Sequence, residues 1–139
     1  MIGAQDGPHG VEPSTLRIDD PNSPLTKGFE GGDFDYVDEF YHFLPTGPYS
    51  REKLHVLISI NTQKSDMSRW KVRPDNDYGL TWIKSYGKGR VFNCALGHTP
   101  TLFMTPSLAR HILAGIQFIL GDLQADTTPS ARLAAKESN

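Results

Sequence analysis

A chain of 139 residues favours a single domain and is long enough to bury a core without disulfide staples. Its 14 basic and 16 acidic residues leave a formal charge of −2 with no basic stripe, which argues against nucleic acid as the partner. The longest apolar run is too short to span a bilayer, residues 1–15 lack the apolar core of a signal peptide, and one cysteine excludes an internal disulfide or a cysteine-based zinc site. The default expectation for compartment is therefore the cytoplasm, with no membrane association.

In chain order, residues 1–22 form an expected extended segment punctuated by Pro8, Pro13 and Pro21, with "STLRID" as one short strand. "FDYVDEFYHFL", Phe34 to Leu44, alternates as a strand with Phe34, Tyr36 and Asp38 on one face and Asp35, Val37, Glu39 and Tyr41 on the other. "LHVLISIN" is almost continuously apolar, the pattern of a strand covered on both faces as in a parallel sheet. Residues 62–78 are polar and predict a long loop. "YGLTWIKSY" and "RVFNCAL" are the arms of a hairpin around Gly87-Lys88-Gly89. Thr105 caps a helix with Pro106 at its first position, and Leu108, Ile112, Ile116, Ile119 and Leu123 mark the side expected to meet the sheet. Residues 125–139 are small and polar, an expected flexible tail.

Strands mixed with one strong helix give an α/β or α+β class. One helix cannot cover both faces of a doubly apolar strand. A homo-oligomer or a partner chain over the sheet is the expected consequence.

Five segments, "SPLTKGF", "DEFYHF", "VLIS", "YGLTWIKSYGKGRVFNCALGH" and "SLARHILAGIQFILGD", follow one another in an order that resembles the ThuA-like (trehalose utilization) family. The resemblance covers about Ser23 to Asp122, and residues 23–124 are assigned to its C-terminal portion. It implies an α/β fold of the flavodoxin-like, class I glutamine amidotransferase-like sandwich type, here a partial domain with a β-hairpin and a C-terminal helix. It implies a small-molecule carbohydrate as ligand (trehalose, a glycoside or a keto-sugar), an undefined reaction and no cofactor. Two departures stand out: the longer N-terminal half of a family domain is absent or reduced, and Ser23 occupies a turn position where His is common.

The candidate catalytic residues are His98, Glu39 and Asp38, and the candidate ligand-binding residues are Tyr41 and Arg90. His98 follows a strand end and Gly97, where α/β sheets place ligand-contacting groups. It is suited to acid–base work or a hydrogen bond to a sugar hydroxyl, or else it braces the loop. Asp38 and Glu39 point to opposite faces of a strand, so they are not a carboxylate pair, and either is an alternative partner for Arg90. Cys94 reads as a buried small hydrophobe beside Phe92 and Leu96, about 13 Å along an extended strand from His98. His111 reads as a helix-surface residue, His42 and His55 as structural, and His9 as a weak ligand candidate. No metal-ligand spacing is evident. The alternative to an enzyme is a non-catalytic module that binds a carbohydrate or a protein and completes its fold with a partner chain.

Overall fold

In the computed structural model, residues 10–44 and 47–137 are described. Expectations for residues 1–9, His9 among them, and for 138–139 lie outside the described residues. Five strands, β1 (Val11–Ile18), β2 (Phe34–Glu39), β3 (His55–Ile60), β4 (Gly79–Tyr86) and β5 (Gly89–Cys94), form one sheet in the order β2-β1-β3-β4-β5. Three helices, α1 (Thr101–Met104), α2 (Pro106–Leu120) and α3 (Ser130–Glu137), follow β5. The domain is thus mixed α/β, as expected. Its strand pairings are all antiparallel, not the parallel arrangement that the apolar run of β3 suggested.

That run has another cause. The β3–β4 register shifts between Val56 and Ile58 and again between Ile58 and Ser59. Such irregularities break strict alternation. Val56 joins one apolar cluster with Phe43, Tyr49, Leu54 and Trp82, whereas Leu57, Ile58 and Ile60 join the main core. All six residues of β3 are buried. The second face is covered by the chain's own aromatic residues after β2, so β3 does not require a partner chain.

β1 is the longest departure from the expected short strand, since it begins before Pro13. A proline is tolerated there because Thr15, two residues on, turns its amide and carbonyl toward Ser65 and Asn61 rather than toward β2. The missing donor of Pro13 lies on the same side, where pairing with β3 starts only at Leu16. The hairpin is as expected: Tyr86 pairs with Gly89, and Gly87 takes φ 59° in the two-residue turn.

The main core lies between the sheet and α2. The face of α2 that enters it is set by Leu108, His111, Gly115 and Phe118. Ile112 packs at its margin, while Ile116 and Ile119 are 45% and 46% exposed, so the expected stripe is rotated. Gly115 explains the rotation. A Cβ there would stand 2.2 Å from the Phe92 ring, so glycine is what lets β5 and α2 approach. His111, expected at the surface, is buried, with Nδ1 2.8 Å from the Leu25 carbonyl oxygen.

The segment expected to be a loose tail is tied down. Thr128 O meets His55 Nδ1 at 2.9 Å, Val56 N–H donates to Ser130 Oγ at 2.8 Å, and the amides of Ser130 and Ala131 donate to Leu54 and Arg51 carbonyls. Small polar residues suit this docking because their hydroxyls and backbone reach the end of β3 directly. No helix among the described residues is long and apolar enough to cross a membrane.

Candidate functional site

Antiparallel pairing in the order β2-β1-β3-β4-β5 makes β2, β3 and β5 run in one direction. Their C-terminal ends, at Glu39, Ile60 and Cys94, therefore share one edge of the sheet. β2 and β5 are its outer strands. The chain leaving β5 nevertheless reaches across to β2, and the candidate site lies where the two meet.

Alternation along β2 sends Tyr36 and Asp38 into the covered face and leaves Glu39 on the other. Asp38 is fully buried, and its Oδ2 accepts the Gly97 N–H at 2.6 Å. Gly97 has φ 108°, a conformation L-residues rarely adopt, so the turn after Leu96 depends on glycine. The turn then delivers His98, whose Nδ1 lies 2.5 Å from Glu39 Oε2. Glu39 is mostly shielded and His98 is about half exposed. A carboxylate held against Nδ1 fixes the tautomer in which Nδ1 carries the proton and Nε2 the lone pair. The result is a carboxylate–imidazole dyad whose ring is about half exposed.

Around the dyad is a recess of about 130 Å³ lined by Glu39, Tyr41, Gly97, His98, Cys94 at the end of β5, and Ala95 and Leu96 just after it. That volume admits one functional group of a ligand rather than a whole sugar, since ordinary ligand pockets hold about 300–1,000 Å³. Cys94 lines the recess, but burial pushes its thiol up to about 11, with the nearby Asp38 charge adding to the shift. Expected to be buried, Cys94 is half-buried and packs at the margin of the core, and a thiol raised in this way is mostly un-ionised near neutral pH.

The fold thus brings Asp38, Glu39, Tyr41 and His98 together and leaves Arg90 elsewhere. Arg90 opens β5 at the hairpin end, and its guanidinium donates to Gln124 Oε1 at 3.0 Å and to Phe118 O at 3.4 Å. It caps the C-terminal end of α2 rather than pairing with Asp38 or Glu39. His55 meets Asp20 and Thr128, and His42 stacks on Trp70 at 4.2 Å between ring centroids, so both serve the fold as expected. Among the described residues no three His, Cys, Asp or Glu side chains are grouped to hold a metal.

Two elements escaped the sequence reading. Glu12 is buried directly opposite Asp38 in the β1–β2 register, which places a third carboxyl, after Asp38 and Glu39, beside the site. Alternation within β1 was its only signal, masked by the reading of residues 1–22 as a lead-in. The other is a groove of about 620 Å³ along β1 and β2, which includes Tyr36 and Thr101. Tyr36 Oη and Thr101 Oγ1 are 3.3 Å apart, and Thr101 Oγ1 also meets Thr99 Oγ1, next in sequence to His98.

Comparison with known proteins finds one family. The model of the ThuA family, described as trehalose utilisation, matches residues 1–119. No curated protein and no solved structure matches the chain.

Proposed function

The chain belongs to the ThuA (trehalose utilisation) family, and from that membership we propose that it acts on a carbohydrate by proton transfer at the Glu39–His98 dyad. The observation that carries this reading is the 2.5 Å contact between His98 Nδ1 and Glu39 Oε2 at the edge where β2 and β5 end. With Nδ1–H donated to Glu39, Nε2 takes a proton from a sugar hydroxyl, or from the carbon beside a keto-sugar carbonyl. The carboxylate stabilises the imidazolium that forms, and Nε2 returns the proton in the reverse step. Asp38 is a positioning residue in this scheme: it holds the Gly97 amide, and through it the place of His98. Tyr41 lines the recess and meets the reacting end of the sugar.

The flavodoxin-like, class I glutamine amidotransferase-like sandwich implied by the family is part of the same proposal. Its support is the common direction of β2, β3 and β5, which gathers the site residues at one strand edge as parallel sheets do. The antiparallel β1 and β4 between them set this chain apart.

The test is turnover in D2O. Wild type, His98→Ala and Glu39→Gln are incubated with trehalose, glucose or fructose, and proton NMR reads products and deuterium incorporation. The expected loss for His98→Ala is about a hundredfold or more, the scale of general acid–base catalysis. Wild-type rates in both variants, or no exchange and no product with the wild type, would overturn the reading.

A second reading, a non-catalytic module that docks on another chain, has one observation in its favour. Leu113, Ile116, Ile119 and Leu120 are exposed on the outer side of α2. Retained sugar binding without turnover, together with a dimer in sedimentation analysis, would favour it over the enzyme.

A further inference from the structure

We propose that the outer side of α2 is the contact surface between two copies of this chain, the helices packing antiparallel across a two-fold axis through Ala109, Leu113, Ile116 and Leu120. The inference is independent of the carbohydrate reading, since none of these residues lines the recess around the dyad. Counted in heptads, Ala109 and Ile116 take one inward position of a helix pair (d) and Leu113 and Leu120 the other (a), the alternating spacing of four and three residues that makes a coiled-coil seam. The chain's own core uses none of them. It takes Leu108, His111, Gly115 and Phe118, which lie on the far side of the helix.

Exposure and charge set this side apart from a solvated one. Leu113 is 56% and Leu120 70% exposed, and the half-exposed Ile116 and Ile119 stand beside them. Arg110 is the one Lys, Arg, Asp or Glu in the 15 residues of α2. A surface helix ordinarily turns charged residues to water, whereas a helix that is apolar on two sides is covered on two sides.

The seam is suited to its own copy. With the helices antiparallel, the small Ala109 lies opposite Leu120 of the second copy, and Leu113 opposite its Ile116. Arg110 falls opposite Gln117, so no like charges meet, and the helix dipoles oppose one another. With a single charge on the helix, nothing on this side recruits a partner of opposite charge. A face of two heptads with its flanks offers about 600 Å² per copy, the low end for a specific interface, so the dimer is weak and reversible.

The experiment is sedimentation velocity of the full chain without sugar. The wild type is expected to be dimeric at about 100 µM and monomeric at about 1 µM, the behaviour of an interface of this size. Leu113→Lys and, separately, Leu120→Lys put a charge into the seam and weaken association about tenfold or more. The Tm of the dilute monomer stays unchanged in both, because both sites are exposed. Orientation is read by oxidative cross-linking in a Cys94→Ser background: chains with Arg110→Cys and chains with Gln117→Cys link to one another when mixed, and neither links to itself. A wild type that stays monomeric at about 100 µM would overturn the second copy as the occupant and leave the seam to a different chain. A dimer unchanged by Leu113→Lys and Leu120→Lys would place the interface elsewhere. Cross-linking within each variant as strong as in the mixture would refute the antiparallel arrangement. None of these outcomes bears on the dyad, whose test is turnover.

Discussion

Replacing Gly97 by alanine tests how the site is held in place. At φ 108° an alanine lies outside the small left-handed region that L-residues reach, near +50 to +70°. The strain is about 1–3 kcal/mol. A Cβ would also stand 2.9 Å from Leu102 Cδ2, but that atom is the tip of a side chain and yields by a few tenths of an ångström. The backbone is therefore expected to carry most of the cost. At about 3 °C per kcal/mol for a domain of this size, Tm falls by about 3–9 °C. If the turn relaxes instead, His98 moves off Glu39 and turnover falls in a fraction that remains folded. The assay is thermal melting of Gly97→Ala, Leu102→Ala and the double variant. A backbone cause predicts coupling near zero between the two sites, whereas a contact cause predicts a rescue of about 1 kcal/mol or more. An unchanged Tm for Gly97→Ala, or full rescue by Leu102→Ala, would refute the reasoning.

Burial holds the His111 imidazole down to about 4 against an ordinary 6.5. The unfolded chain then binds more protons between those values, so stability is complete above pH 6.5 and falls by up to about 3 kcal/mol as pH drops toward 4. Denaturant melts at pH 5 and 7.5 should show that slope in the wild type and lose it in His111→Asn. Arg90→Ala should lower Tm by about 3 °C through the lost contacts at the end of α2, roughly 1 kcal/mol, and leave sugar affinity unchanged; a loss of affinity at constant Tm would return Arg90 to the ligand site. Cys94, with its thiol raised to about 11, should resist a thiol reagent at pH 8 until denaturant is added, and rapid native labelling would contradict its burial.

What could be read from the sequence was local. The hairpin followed from Gly87 and its flanking strands, and the start of α2 from Thr105 and Pro106. Of the candidate site residues only His98 reads as standing at a strand end; Asp38, Glu39 and Tyr41 read as lying inside a strand running to Leu44, whereas β2 ends at Glu39. The orientation of α2 was not legible, because hydropathy ranks Ile116 and Ile119 above His111 and Gly115. The buried side was chosen instead by what Phe92 needed to fit against. The cover over the second face of β3 was equally hidden. Phe43 belongs to the strand expected to run to Leu44, but β2 ends at Glu39, and the stacking of Phe43 on Tyr49 at 5.8 Å is a tertiary event. The docking of residues 127–131 depends largely on backbone groups, with the Ser130 and Thr127 hydroxyls beside them, and no hydropathy pattern advertises it.

The clamp between Asp38 and Gly97 joins residues 59 positions apart in the chain. The β4–β5 hairpin closes over a two-residue turn, an event of microseconds. The dyad has no such local route: β1 must first insert between β2 and β3, and the strand leaving β5 must then find β2. Contacts of such long sequence separation form only after the loop-closure entropy between them has been overcome. The Glu39–His98 pair is therefore a late product of folding, so a half-folded chain would carry its hairpin but not the pair. The Glu39–His98 contact would report the completed fold, and a chain nicked in the loop of residues 62–78 would carry one half of the dyad on each fragment, re-forming the pair only on reassembly.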